Sequence, residues 1–278
     1  MPSREKSPQR RCVVEKFCEP IIMLFPRIIP VLLVHDKGLV KTVKFKDAKY
    51  VGDPINAVKI FNEKEADELT VLDIDATVEG REPDYKMIEN LASECRMPLC
   101  YGGGIKSLAQ AQRILGLGVE KVALSSIIYD SPSLVSELAE RVGRQSVVVV
   151  LDVKKRLFSN QYDCFTHNGK TNRKVCAVEF AQKMQALGAG EIVINSIDND
   201  GVMQGYNLDL ISRIKAVVTV PVTALGGAGS HKDIKALVDQ ERIIGAAAGS
   251  MFVFKGKYKA VLINYPTSAE KKEILSNI

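Results

Sequence analysis

The stretch Val31–Thr42, VLLVHDKGLVKT, runs from four consecutive apolar residues into a charged segment punctuated by glycine. Continuous apolar runs of this length mark strands covered on both faces, as in parallel sheets, and the break marks the strand's end. The same unit repeats outward along the chain. Strands are predicted at Ile28–Val34, Leu69–Ile74, Pro98–Tyr101, Lys121–Leu124, Ser146–Asp152, Glu191–Asn195, Val220–Leu225 and Ile243–Ala248. Helical patterns between them cover Pro54–Lys64, Asp84–Cys95, Leu108–Leu115, Pro132–Val142, Ala177–Leu187, Leu208–Val217 and His231–Val238. Asp53-Pro54, Ser131-Pro132 and Ser230 supply helix-opening chemistry: an oxygen to accept the first free N–H groups, or a proline preset for the first turn. Strands and helices alternating eight times predict an α/β fold, a (β/α)8 TIM barrel, rather than an open doubly wound sheet.

The two halves resemble each other. YGGGIKS from Tyr101 returns as LGGAGSH from Leu225, and ADELTVLDIDA from Ala66 returns as AGEIVINSIDN from Ala189. A repeat of half the chain is what a barrel built from two similar half-barrels shows. Laying the first strand on the fifth puts Leu33 opposite Asp152. Arg156–Lys174, after the fifth strand, is too long for an ordinary barrel loop; alternating Phe, Tyr and polar residues around His167-Asn168-Gly169 predict a small hairpin over the mouth.

Composition narrows the partners. The 278 residues carry a formal net charge of +5 without a basic block or aromatic interleaving, which argues against nucleic acid and favours small anionic ligands. Six cysteines (Cys12, Cys18, Cys95, Cys100, Cys164 and Cys176) show no CxxC pairing or histidine partners. They predict reduced thiols in a cytoplasmic protein with no metal site and no cofactor. No apolar run approaches the roughly 20 residues of a membrane span. Residues 1–22 are polar, basic and without periodicity, and are expected to be a flexible tail or sequence upstream of a true start at Met23; residues 23–278 are expected to form one barrel domain.

Glycine turns follow the third and seventh strands, Gly102-Gly103-Gly104 and Gly226-Gly227-Ala228-Gly229. Each is matched by a further small-residue loop, Ser125-Ser126 and Gly249-Ser250. Lacking a Cβ, glycine lets backbone N–H groups approach phosphate oxygens, and two such places predict one phosphate site per half. Barrel enzymes place their chemistry at the C-terminal strand ends, so Asp152 reads as a general acid/base. Asp198 and Asp200, before Gly201, read as ligand-binding or loop-ordering groups.

Together Arg27-Ile-Ile-Pro, the Asp-Glu-Leu and Leu-Asp-Ile-Asp segments, the glycine turns, Gly-Ala-Gly-Glu-Ile and the Asp-Asn-Asp-Gly loop resemble the synthase (cyclase) subunit of imidazole glycerol phosphate synthase. The resemblance covers Arg27 to the C-terminus. It implies ammonia delivered by a glutaminase subunit docked at the N-terminal barrel face, and a bis-phosphorylated ribulosyl-carboxamide substrate. It implies a charged gate of Arg27, Glu68, Lys121 and Glu191, the acid Asp152, and phosphate contacts at Gly104, Gly227, Gly249 and Ser250; Gly103, Gly226 and Ser125 are expected to bind substrate from the turns themselves, Ser125 and Leu225 standing where the family carries Asn and a small polar residue. Lys41, in a flexible loop after the first strand, matches a loop lysine of the family. The family carries an acid where this chain has Leu33; Asp36, three residues on, would need a changed strand end to replace it. Proton transfer of this kind contributes about 10²- to 10⁴-fold in rate. The loss resembles a paralogous branch associated with surface-polysaccharide gene sets, which implies a second reading: a conduit feeding ammonia to a separate sugar amidotransferase.

Overall fold

β1 (Arg27–His35) turns back through Asp36-Lys37 into β2 (Gly38–Val43) and β3 (Lys46–Gly52). There follow α1 (Pro54–Glu63), β4 (Leu69–Asp73), α2 (Tyr85–Glu94), β5 (Leu99–Gly102), α3 (Leu108–Gly116), β6 (Lys121–Leu124), α4 (Ile127–Asp130), α5 (Ser133–Val142) and β7 (Val147–Lys155). A second hairpin, β8 (Tyr162–Thr166) and β9 (Thr171–Cys176), precedes α6 (Ala177–Ala186), β10 (Glu191–Ser196), α7 (Leu208–Lys215), β11 (Val222–Leu225), α8 (His231–Glu241) and β12 (Gly245–Ala248). The chain closes with α9 (Ser250–Val253), the small pair β13 (Phe254–Lys255) and β14 (Ala260–Val261), and α10 (Ser268–Ile274). This computed structural model describes residues 25–276 except 158 and 257, so the segment predicted as a tail or upstream sequence lies outside the described residues.

Eight strands pair in parallel in the ring β1-β4-β5-β6-β7-β10-β11-β12, and β12 returns to β1. This is the (β/α)8 barrel expected from the alternation. Its register supports the internal repeat: Leu33 pairs with Leu72 between β1 and β4, and Asp152 pairs with Asn195 between β7 and β10. Helix stripes such as Ala57, Val58 and Phe61 of α1, spaced for one face, pack on the outside of the strands. Inside the barrel lie separate clusters built from Ile29, Val31, Leu225 and Ala247, and from Cys100, Ala123, Val148 and Val150. Among the described residues the four cysteines are free, and no helix is long and apolar enough to cross a membrane.

The hairpin expected within Arg156–Lys174 is β8–β9, antiparallel on β7. Its counterpart β2–β3, antiparallel on β1, is where the expectation of a flexible loop fails. Asp36 and Lys37 take positive φ angles of 49° and 62°, making a two-residue turn without the glycine that usually marks one. Lys41 therefore sits on β2 and is buried, not in a mobile loop.

Candidate functional site

At the floor of the barrel, Arg27, Lys121 and Glu191 begin their strands and Glu68 stands one residue before β4. Alternating signs at these starts converge on the axis. Arg27 bonds Glu68 and reaches Glu191 Oε1 at 2.8 Å; Lys121 Nζ lies 2.9 Å from both Glu68 oxygens and 2.9 Å from Glu191 Oε2. Thr223, which belongs to no motif, donates its hydroxyl to Glu191 at 2.5 Å. Burial alone pushes the Glu191 carboxyl up, but Arg27 and Lys121 outweigh it and hold it well below the usual range. Burial pushes Lys121 down, and the two glutamates more than reverse that. The four charges close the axis as one ion-paired ring.

At the opposite end, two cavities share the mouth. The first is lined by Gly103, Gly104, Ser125, Ser126, Asp152 and His167 among others. The second is lined by Lys41, Asp200, Gly201, Gly226, Gly227, Gly249 and Ser250. Gly103 and Gly227, equivalent in the repeat, have φ of 125° and 115°; a Cβ would lie 2.4 Å from Asp73 O in one and 2.0 Å from Gly205 O in the other. Only glycine fits either turn. Lys41 Nζ donates to the Val31 carbonyl and lies beside Gly249. Burial pushes its amine down to about 8, against the pull of Asp200. The glycine turns open both cavities to close approach by a ligand, and Lys41 gives the second an ammonium beside the Asp200 carboxylate.

Asp152 stands in the first cavity. Asn195 Nδ2 donates to its Oδ1 at 2.9 Å. Burial, helped by the Asp200 carboxylate, pushes Asp152 up to about 7, against hydrogen bonds from Asn195 and Ser125. A carboxyl poised there can both give and take a proton near neutrality. Leu33, at the matching place on β1, joins Leu72, Val193, Leu225 and Val31 in an apolar collar. Asp36 does not replace it, because its turn faces an outer depression with Lys37, Asp75 and Glu79, where its N–H donates to Asp75 at 2.8 Å.

The acids after β10 separate. Asp200 accepts from Thr42 Oγ1 at 2.9 Å and Phe45 N at 3.3 Å, so it holds the β2–β3 turn over the mouth while lining the second cavity. Asp198 takes the loop-ordering place of its two expected roles: it accepts the Lys155 N–H at 3.1 Å and faces an outer depression beside Lys154 and Arg156, because the turn after β10 directs it to the end of β7. Sequence reading also missed Thr42, Phe45 and Asn195, which with Leu33 line both cavities. For Asn195 a signal existed: the repeat sets this polar residue opposite Leu72.

The sequence profile described as histidine biosynthesis protein matches residues 27–259. A Vibrio vulnificus protein provisionally named imidazole glycerol phosphate synthase subunit hisF3 is 67% identical over 253 residues, 91% of this chain and 97% of that relative. A Pseudomonas aeruginosa protein provisionally named subunit hisF2 is 50% identical, over 88% of this chain and 97% of its own length. The Lactococcus lactis protein named imidazole glycerol phosphate synthase subunit HisF is 37% identical, over 91% of this chain and all of that relative. With the closed barrel and its paired cavities, these matches establish that the chain belongs to the histidine biosynthesis protein family.

Proposed function

We propose that the chain is the synthase subunit of an imidazole glycerol phosphate synthase-type glutamine amidotransferase. Ammonia released by a glutaminase at the barrel floor passes the ring of Arg27, Glu68, Lys121 and Glu191. At the mouth it meets a bis-phosphorylated ribulosyl-carboxamide held in the two cavities. Cleavage and cyclisation give imidazole glycerol phosphate and the aminoimidazole carboxamide ribotide, with Asp152 moving protons. The observation that carries this reading is Asp152, pushed up to about 7, in a glycine-walled cavity that shares Leu33, Thr42, Phe45 and Asn195 with a second. Lys41, Gly249 and Ser250 hold one phosphate; Gly103, Gly104 and Ser125 hold the other.

Leu33 favours a second reading. Leucine moves no proton, and the apolar collar it completes suits passage of a small neutral molecule more than acid–base chemistry. In this reading the barrel conducts ammonia to a separate sugar amidotransferase in surface-polysaccharide synthesis. The higher identity to the two provisionally named subunits than to the Lactococcus lactis protein is in keeping with such a branch.

Turnover of the ribulosyl-carboxamide with saturating ammonium salt and no partner separates the readings. A synthase turns over, loses about 10²-fold or more in Asp152→Asn, and gains in Leu33→Asp. A native chain without turnover that still stimulates its glutaminase is a conduit.

A further inference from the structure

Asn195 Oδ1 is buried and has no hydrogen-bond partner, although the residue is only 6% exposed. Leaving a buried acceptor unpaired is costly, and such atoms ordinarily find a donor. Its NH2 is donated to Asp152 at 2.9 Å, and an ionised carboxylate only accepts, so with Asp152 ionised the amide keeps this orientation and the oxygen stays unpaired. The orphan oxygen belongs to a residue lining both cavities and lies near the Gly226 turn. Below it on the same face of β10 come Val193, in the apolar collar, and then Glu191 of the floor ring. From Glu191 to Asn195 is about 13 Å of strand. A molecule moving up the axis leaves the ring, crosses an apolar sleeve of Ala123, Val148, Val193 and Leu72, and meets Asn195 at its upper edge.

Resting on the synthase-subunit reading, we propose that Asn195 and Asp152 form a receiving site for ammonia, in which Asn195 Oδ1 accepts one N–H and the Asp152 carboxylate accepts another. Leu33 and Leu225 close the apolar side, so the nitrogen lone pair is left facing the ligand that spans the two cavities. Ammonia, with three donors, fits a site that offers acceptors; a ligand hydroxyl has a single donor and would satisfy only one of them.

Steady-state kinetics on the full chain with ammonium chloride, comparing the native protein with Asn195→Leu, tests the site. The KM for ammonium is expected to rise about tenfold while the KM for the bis-phosphorylated substrate stays within twofold. An unchanged ammonium KM, or a rise confined to the substrate KM, overturns the inference but leaves the synthase reading standing. A native chain without turnover overturns the synthase reading instead. The site is then judged by NMR of the Asn195 side-chain amide: a saturable shift with ammonium chloride and none with potassium chloride supports it, and no shift overturns it.

Discussion

Asp152 titrates where it does because its carboxylate is taken out of water and faces Asp200 across the mouth, and two hydrogen bonds recover only part of the cost. A carboxyl whose folded pKa lies above its ordinary 3.8 binds its proton more tightly in the folded state. Its contribution is therefore most favourable below pH 3.8, fades as pH rises, and is gone above about 7. Asparagine has the same shape and no charge to bury. Asp152→Asn should match the native protein near pH 3.5 and exceed it by about 2 kcal/mol at pH 8, read from urea unfolding at both pH values; this discounts the roughly 1.4 kcal/mol per pKa unit for the half-open site. A residue that destabilises the fold in its working ionisation state is in keeping with a group retained for chemistry. Asp152 was legible in the sequence because it ends a continuous apolar strand. Asn195 carried only the faint signal of its place opposite Leu72 in the repeat, since an asparagine at a strand end otherwise reads as a turn former.

The hairpin β2–β3 is the element that the sequence concealed. Its partner β8–β9 announces itself through the His167-Asn168-Gly169 turn, with φ angles of 54°, 54° and 72°. In β2–β3 the turns put positive φ on Asp36, Lys37, Lys44, Phe45 and Asp47, with a glycine, Gly52, only at the far end of β3, and β3 is mostly exposed. Only tertiary contacts could fix such a segment, and Asp200 supplies them through Thr42 and Phe45. The two hairpins also touch: a Cβ on Gly169 would meet the Phe45 ring at 3.2 Å. Asp200→Ala removes both side-chain bonds and leaves the Lys44 N–H on the Asp200 carbonyl at 2.9 Å. Amide hydrogen exchange across Gly38–Gly52 should quicken by about tenfold, with the β4, β7 and β10 amides unchanged, which would mark local opening rather than loss of the barrel. The eight strands were legible because parallel barrel strands must be apolar on both faces; the segments built from exposed or borrowed contacts were not.

Across the whole molecule, the ring at the floor and the cavities at the mouth sit at opposite ends of one axis, joined by apolar side chains from β1, β4, β5, β6, β7, β10, β11 and β12. Replacing Lys121 with methionine keeps the bulk of the stem but leaves Glu68 and Glu191 with Arg27 as their remaining cation in the ring. Lys121→Met should cost about 3 kcal/mol at pH 7.5, and the loss should shrink as acid protonates the glutamates, read by urea unfolding across that range. Glu191 is held far below neutrality, and Lys121 and Arg27 are held above their ordinary values. No member of that trio exchanges a proton at physiological pH. On the proposed route, ammonia leaving the ring first meets groups that titrate near neutrality at Asp152 and Lys41, at the far end of the axis, so proton exchange belongs to the mouth and not to the floor.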